Sequence, residues 1–204
     1  MTHSFKNLYI TNLWGTLNDN FMKTLASFIA MSWVEQRTQP LLVSLSAAAL
    51  VLPYVLCSPL AGRLTQVFHK LRIVRVAKMC ELPIVGLAIL GFMQHNFWIV
   101  LAALTLMGLQ SALYSPAKYG LIRDIGGIER VSRGMGGMEA IAFVGMLTGT
   151  VLASFIVDTT PPWVHYTLLA TFSTLGIIFS FTIRADEVTT DERDPIGPIR
   201  FLYN

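Results

Sequence analysis

The sequence predicts an all-α integral membrane protein whose chain crosses the bilayer six times. Of its 204 residues, 53% are hydrophobic and only 13% are charged, whereas a soluble domain carries about 25% charged residues. A helix needs roughly 20 mostly apolar residues to cross a bilayer, and six stretches meet that requirement. Their limits are 8–33, 41–62, 73–93, 97–117, 135–157 and 163–183.

The first span carries polar residues in the middle of an apolar segment. Asn18, Asp19, Asn20 and Lys23 lie between apolar flanks, and polar positions recur there at three- and four-residue steps, which form a stripe on a helix. A charge at bilayer depth costs on the order of 3 kcal/mol on insertion scales. The pattern therefore favours a helix that faces a polar cavity. The alternative is that Asp19 and Lys23, one turn apart, only neutralise each other.

The second span contains Pro53 and Pro59 and leads into a short basic connection. This connection, residues 62–72, begins with Gly62 and Arg63 and anchors the chain at the membrane surface. A further proline, Pro116, lies in the fourth span and is expected to bend that helix.

Ionisable side chains recur in the third and fourth spans. Lys78 and Glu81 are three residues apart, so they share one helical face and form a candidate ion pair, either structural or functional. Gln110, Tyr114 and Lys118 follow one another at four-residue steps and form a polar-aromatic stripe. The stripe favours a functional role for Lys118 over simple extension into the headgroup region.

The fifth span combines a smooth surface with a single charge. Gly145, Gly149 and Ala153 recur every four residues, which predicts a close contact with another helix. Glu139 is the one charged residue of the span and is a candidate partner for a lysine of the third or fourth span.

Basic residues are concentrated on one side of the predicted membrane, so both termini are expected in the cytoplasm. The opposite side has only Arg37, and its connections are short, which excludes a receptor ectodomain or a catalytic domain there. Residues 1–184 are predicted to form the six-helix bundle, and residues 185–204 a charged cytoplasmic linker towards a missing second half. The basic residues of the cytoplasmic side are Lys6, Arg63, Lys70, Arg72, Arg75, Lys118, Arg123, Arg130, Arg133 and Arg184.

This arrangement resembles one half of a major facilitator superfamily transporter. Gly62 and Lys70 fit the superfamily's motif between the second and third spans, whereas Gln66, Val67 and His69 replace its Asp, Arg and second Gly.

A closer resemblance, covering about residues 7–184, is to the bacterial lysophospholipid transporter branch of that superfamily. It rests on residues 17–23 (LNDNFMK), 58–64 (SPLAGRL), 107–111 (MGLQS) and 116–120 (PAKYG). Lys78 and Glu81 follow downstream, and Glu139 and the Gly149-Thr150 pair stand where the branch has an acid and a Gly-Thr pair.

The resemblance implies a transporter that moves lysophospholipids to the cytoplasmic leaflet of the bacterial inner membrane for re-acylation. Members of the branch have twelve spans and are encoded beside, or fused to, an acyltransferase and an acyl-carrier-protein synthetase. The superfamily builds each half from inverted three-span repeats and places its site between the halves. This chain would be the N-terminal half, with a second six-helix half supplied by the same gene, a split gene or a second copy.

The resemblance also assigns roles to the singled-out residues. Cationic groups would meet the lipid phosphate, and charge pairs would take part in gating. The expected cavity residues are Asn18, Asp19, Asn20, Lys23, Gln110, Tyr114 and Lys118. The expected charge-pair and gating residues are Lys78, Glu81, Glu139, Gly62 and Arg63.

Other function classes remain open. A proton-coupled exporter of drugs or metabolites would use Asp19 or Glu139 as its proton carrier, although residues 145–150 (GMLTGT) lack the Gly-Pro pair usual in such antiporters. An intramembrane enzyme is disfavoured because the sequence has no Gly-x-Ser-x-Gly or His-Glu-x-x-His motif, and an assembly subunit is a further alternative. We expect no cofactor, metal or nucleic acid, and we expect Cys57 and Cys80 to be buried thiols rather than a disulfide.

Overall fold

The computed structural model describes residues 3–33 and 35–185. Within them the six predicted spans correspond to six α-helices, with a short 3-10 turn, Ile128–Arg130, before the fifth. The predicted linker lies, apart from Ala185, outside the described residues. The helices are α1 (His3–Met31), α2 (Gln39–Val67), α3 (Lys70–Met93), α4 (Phe97–Gly126), α5 (Val131–Ile156) and α6 (Pro162–Thr182).

Five helices, α2 to α6, with α5 counted together with its preceding turn, are long and apolar enough to cross a membrane. Helix α1 is not among these five, so its crossing of the membrane stays a prediction. Helix α1 is as long as α2, at 29 residues, but its amides and charges make it more polar. It packs against α2, α4, α5 and α6, so many of its polar side chains meet protein rather than lipid. The chain is a multi-pass membrane protein.

Contacts between the helices follow an inverted two-fold pattern. Helix α1 packs beside α5, and α4 packs beside α2 in the same way. Helix α1 also packs against α6, as α4 packs against α3. Helices α3 and α6 contact each other. Each pairing maps onto its counterpart when α1, α2 and α3 are matched with α4, α5 and α6. The bundle is therefore two inverted three-helix repeats, which confirms the predicted half of a superfamily transporter.

Small residues bring the paired helices into close contact. Gly145, Gly149 and Ala153 of α5 are all buried, and a Cβ on Gly145 would lie 2.9 Å from a backbone oxygen of α1. A Cβ on Gly149 would collide with the carbonyl oxygen of Leu17, and Gly108 of α4 meets the backbone of α2 in the same way. The close contact predicted from the stripe is confirmed.

The connection between α2 and α3 is shorter than the sequence predicted. Helix α2 continues to Val67 and α3 begins at Lys70, so Gly62 and Arg63 lie within a helix and not in a loop. The carbonyl of Gly62 accepts a hydrogen bond from Thr65 Oγ1 at 2.7 Å. No proline or further glycine separates Gly62 from α3, so nothing in this part of the chain breaks the helix. A Cβ on Gly62 would meet no atom within 4 Å.

The prolines do not divide the helices that contain them. Pro53 and Pro59 lie inside α2, and Pro116 lies inside α4. Neighbouring helices and hydroxyl side chains can satisfy the backbone groups that a proline frees in a membrane helix. The bend expected at Pro116 stays a prediction.

Both cysteines are free thiols. Cys57 is half-buried, whereas Cys80 is exposed, so the expectation of burial is wrong for Cys80. It lies on a face of α3 that points away from the bundle, next to the buried face that carries Lys78 and Glu81.

Candidate functional site

Adjacent residues of α1 reach two different helices in the middle of the bundle. Asn18, which is fully buried, donates from Nδ2 to Glu81 Oε1 of α3 at 2.7 Å. Asp19 accepts a hydrogen bond at Oδ2 from Ser111 Oγ of α4, at 2.9 Å. Successive side chains on a helix point about 100° apart, which is why one polar dipeptide can bind α1 to both neighbours.

The predicted pairing of Lys78 with Glu81 is confirmed. Lys78 Nζ lies 2.6 Å from Glu81 Oε2, and the two side chains are 2% and 0% exposed. Since Asn18 bonds the other carboxylate oxygen, both oxygens of Glu81 have partners. Removing one member of such a pair leaves an uncompensated buried charge, which costs about 3–5 kcal/mol. The gating role proposed for the pair stays a prediction.

Glycine makes room for the Lys78 side chain. A Cβ on Gly15 of α1 would collide with the ammonium nitrogen, and a Cβ on Gly176 of α6 would lie 3.6 Å from Lys78 Cδ. The ammonium also lies 5.0 Å from the centroid of the Tyr114 ring, within range of a cation–π interaction. Lys78 is therefore enclosed by four helices.

The predicted stripe on α4 faces α1 and α3. Gln110 Nε2 donates to the backbone carbonyl of Ala77 on α3 at 3.0 Å. The ring of Tyr114 lies between two ammonium groups, 5.0 Å from that of Lys78 and 5.6 Å from that of Lys118.

Lys118, at the far end of the stripe, is held by α1. Its Nζ donates to Asn12 Oδ1 at 3.0 Å and lies 4.9 Å from the Tyr119 ring centroid. Asn12 in turn donates from Nδ2 to the backbone carbonyl of Met138 on α5, at 3.4 Å. The ammonium of Lys118 is thus held in a defined position by Asn12 and Tyr119.

We call the nine residues joined in this way the charged cluster. It contains two acids and two bases, so their formal charges balance. Three of its buried oxygens, Asn18 Oδ1, Asp19 Oδ1 and the Tyr114 hydroxyl, have no hydrogen-bond partner among the described residues. The members are Asn12, Asn18, Asp19, Lys78, Glu81, Gln110, Ser111, Tyr114 and Lys118.

Asn20 and Lys23, which the sequence placed in the same cavity, lie on a separate line of α1. Asn20 Nδ2 donates to the Thr16 carbonyl at 2.8 Å, and Lys23 Nζ donates to Asn20 Oδ1 at 3.0 Å. These side chains are half-buried, and these two hydrogen bonds stay within α1. With Ser27, whose hydroxyl donates to the Lys23 carbonyl, they form what we call the outer stripe. Asp19 bonds Ser111 instead of Lys23, so the two do not simply neutralise each other.

Glu139 does not pair with Lys78 or Lys118 as its sequence position suggested. It accepts a hydrogen bond from the Tyr119 hydroxyl, and its residue is exposed. The ring of Tyr119 is the one that lies beside Lys118, so the tyrosine stands between the acid and the base. The sequence could not show this, because Tyr119 carries no charge.

Asn12, Gly15 and Ser111 belong to the site but were not among the predicted site residues. Asn12 lies on the polar side of α1, and Ser111 directly follows Gln110, so their positions gave a weak signal. Gly15 gave none, because its role depends on Lys78 of another helix. Within residues 3–33 and 35–185, no group of three His, Cys, Asp or Glu side chains could hold a metal ion.

Inverted helical repeats that carry ionisable residues inside the membrane are the architecture of secondary transporters. The family model of the Major Facilitator Superfamily matches residues 13–201, and the chain belongs to this family.

Among its relatives, the lysophospholipid transporter LplT of Photorhabdus laumondii is 26% identical over 159 residues, which cover 78% of this chain and 37% of that protein. The lysophospholipid transporter LplT of Serratia proteamaculans is 32% identical over 110 residues, 54% of this chain and 26% of its own length. The lysophospholipid transporter LplT of Yersinia pestis is 27% identical over 138 residues, which cover 68% of this chain and 31% of that protein. The aligned residues span only about a third of the length of these curated relatives.

Proposed function

We propose that the chain is the N-terminal half of a transporter that moves lysophospholipid across the bacterial inner membrane for re-acylation. The observation that carries this proposal is the likeness to three lysophospholipid transporters. The charged cluster supports it, because a lipid headgroup that crosses a bilayer needs polar partners at depth. The concentration of basic residues at one end of the bundle supports cytoplasmic termini.

The boundary between α1 and α4 offers both charges that a zwitterionic headgroup requires. Lys118 lies beside Asn12 and Asp19 beside Ser111. The two pairs are seven residues apart on each helix, or about 10 Å along the axis. The ammonium of Lys118 has three donors, of which Asn12 takes one. Asp19 Oδ1 has no partner among the described residues. A phosphate would bond Lys118, and an amine or hydroxyl of the headgroup would bond Asp19.

The remaining residues of the charged cluster act in two ways in this proposal. Gln110 and Tyr114 form the wall between the two binding charges, whereas Lys78, Glu81 and Asn18 hold α1, α3 and α4 in position. The Lys78–Glu81 pair is too deeply buried to touch a lipid in this conformation. Gating by Gly62, Arg63 and Glu139 remains part of the proposal.

The outer stripe would face a second six-helix half. Asn20 and Lys23 are half-buried and bonded within α1, so their remaining polar surface is open to a ligand or to another helix. The superfamily places its site between two such halves, and the curated relatives are about three times as long as the segments that align with this chain. An acyltransferase or acyl-carrier-protein synthetase is a further expected partner, because re-acylation consumes the transported lipid.

The acyl chain would lie against apolar helix surfaces. Large apolar side chains are exposed along α2, and α5 exposes a second such set. A lysophospholipid has one chain, so it needs a lateral opening rather than a sealed pore. The exposed residues include Val51, Leu52, Val55 and Leu56 of α2 and Phe143, Leu147, Val151 and Phe155 of α5.

Uptake of labelled lysophosphatidylethanolamine tests the proposal. The chain and its second half would be expressed in cells that lack their own lysophospholipid transporter. We expect Asp19→Asn and Lys118→Gln each to lower uptake about tenfold or more, because each removes a charge-assisted hydrogen bond worth roughly 1.5–3 kcal/mol. Lys6→Gln, which changes an exposed charge at the start of α1, is the matched control and should transport normally.

Two results would contradict the proposal at different levels. Normal uptake in both cluster variants would contradict the assignment of Asp19 and Lys118 to the binding site, but not the proposed substrate. Absence of uptake by the unchanged protein, together with export of drugs that requires a pH gradient, would favour the proton-coupled exporter.

A further inference from the structure

A cavity lies at the end of the bundle where α1 and α5 begin. It has a volume of about 300 Å³ and is lined by Phe5, Tyr9, Arg130, Arg133 and Gly134. None of these residues belongs to the charged cluster or to the outer stripe. The cavity therefore needs an explanation of its own.

The apolar wall of this cavity is fixed by close packing. Phe5 and Tyr9, one turn apart on α1, have ring centroids 6.0 Å from each other. A Cβ on Gly126 would lie 2.6 Å from the Phe5 ring, and one on Gly134 would lie 3.2 Å from it. The Tyr9 hydroxyl donates to the Gly134 carbonyl at 3.0 Å. Glycines of α4 and α5 thus hold two aromatic rings in place.

The rim of the cavity is basic. Arg130 and Arg133 are three residues apart at the start of α5, and both are exposed. Neither guanidinium has an ion pair or hydrogen bond to another residue in the described part of the chain. The first N–H groups of α5, a helix of 26 residues, add a partial positive charge at the same place.

The position of the cavity along the membrane normal suits a lipid headgroup. It lies at the end of the bundle that carries most of the basic residues, where α1 begins, α4 ends and α5 begins. Basic pockets between membrane helices at such an end bind phosphate-bearing headgroups. Arginine forks match phosphate oxygens in pairs.

We propose that this cavity and its basic rim bind an anionic membrane lipid, with the lipid phosphate at the rim. Arg130 and Arg133 hold the phosphate, and the rings of Phe5 and Tyr9 contact the apolar part next to the headgroup. A free phosphate ion would use the arginines but gain nothing from the two rings. The volume lies at the lower end of the range of about 300–1,000 Å³ for ligand pockets. Together with the apolar lining it fits the apolar part next to the headgroup, with the rest of the acyl chains along the helices.

Lipid retention by the purified full chain tests the proposal. The protein, exchanged into equal amounts of phosphatidylglycerol and phosphatidylcholine, would be examined by native mass spectrometry. We expect phosphatidylglycerol to be retained in roughly tenfold excess or more, since two basic side chains both favour an anionic lipid. Arg130→Gln with Arg133→Gln should abolish that excess.

A charge-matched control separates this site from a general effect of positive charge. Arg72→Gln with Arg123→Gln removes two exposed arginines from the same end of the bundle and should keep the excess. An equal loss in both double variants, or no excess in the unchanged protein, would overturn the proposal.

Two further measurements cover the remaining explanations. The first measurement compares how readily inorganic phosphate and short-chain phosphatidylglycerol displace the bound phosphatidylglycerol. Equal displacement by the two would indicate a free-anion site and overturn the lipid assignment. If the glutamine double variant does not fold, Arg130→Lys with Arg133→Lys keeps the charge but loses the planar fork. That variant should retain less phosphatidylglycerol than the unchanged protein, and full retention would contradict the role of the two guanidinium groups.

Discussion

Lys78 shows what is needed to keep an ammonium group inside a membrane protein. Its charge is balanced by Glu81 at 2.6 Å, and its ammonium lies 5.0 Å from the centroid of the Tyr114 ring. The absence of a side chain at Gly15 leaves space for the ammonium. Each of these contributions comes from a different turn or helix. Because a buried charge without its partners is costly, the side chain has little freedom to move.

The first prediction follows from that lack of freedom. Gly15→Ala would place a methyl group against Lys78 Nζ, and the ammonium can move aside only by leaving Glu81 and the Tyr114 ring. We expect a loss of about 1–3 kcal/mol, typical of overpacking, which should lower the midpoint of thermal unfolding in detergent by several degrees.

Gly86→Ala is the matched control for this prediction. Gly86 also lies inside a membrane helix, but a Cβ there would meet no atom within 4 Å, and alanine favours helix more than glycine does. Its unfolding midpoint should stay the same or rise. Equal midpoints for the two variants would show that Gly15 does not confine Lys78.

Sequence spacing identified the contacts within single helices but not those between helices. Lys78 and Glu81 could be paired from their three-residue separation, whereas the bond from Asn18 to Glu81 joins residues 63 positions apart. Glu139 was assigned to a lysine because opposite charges attract, yet Tyr119 accounts for its hydrogen bond. Such choices depend on how helices rotate against one another, which spacing along one helix does not determine.

Helix α1 is the element on which the site depends. One side packs on α5 through backbone contacts at Gly145 and Gly149, and two others bond α3 and α4 through Asn18 and Asp19. The outer stripe occupies the face that remains. The extent of α1 was predictable from its apolar flanks, but its division into a buried cluster and a half-exposed stripe required the positions of its neighbours.

The close contact between α1 and α5 gives the second prediction. Gly149→Ala would drive a methyl group into the carbonyl of Leu17, and a backbone atom cannot swing away as a side chain can. The helices must separate, so we expect a loss of about 1–3 kcal/mol. The amount of monodisperse protein that survives heating, measured by fluorescence-detected size exclusion, should fall.

Gly136→Ala serves as the control on the same helix. Gly136 is exposed, and a Cβ there would meet no atom within 4 Å, so this variant should survive heating as the unchanged protein does. If Gly149→Ala survives equally well, the two helices do not depend on the glycine for their contact.

At the scale of the whole molecule, the two repeats are interlaced rather than side by side. The close pairs α1–α5 and α2–α4 each take one helix from either repeat. Neither three-helix repeat therefore has a complete set of packing partners within itself. The alternation of helix directions, together with the distribution of basic residues, gives the molecule a definite expected orientation in the membrane.

Cysteine labelling in intact cells tests that orientation. In a background with Cys57→Ala and Cys80→Ala, we expect Gln94→Cys, in the connection between α3 and α4, to react with a membrane-impermeant maleimide. His69→Cys, between α2 and α3, should react only after the membrane is made permeable. Thr159→Cys, between α5 and α6, should behave as Gln94→Cys does, and the reverse pattern would place both termini outside the cytoplasm.

The interlaced helices also constrain the order in which the protein can be assembled during synthesis. Asp19 leaves the ribosome early, but its hydrogen-bond partner Ser111 follows 92 residues later. The glycines of α5 that pack against α1 are synthesised later still. Helix α1 is also the most polar of the six and must stay in the bilayer until those partners arrive. We therefore expect α1 to need shelter by the insertion machinery until α5 is made, and a nascent chain stalled before α5 should be a preferred target for membrane proteases.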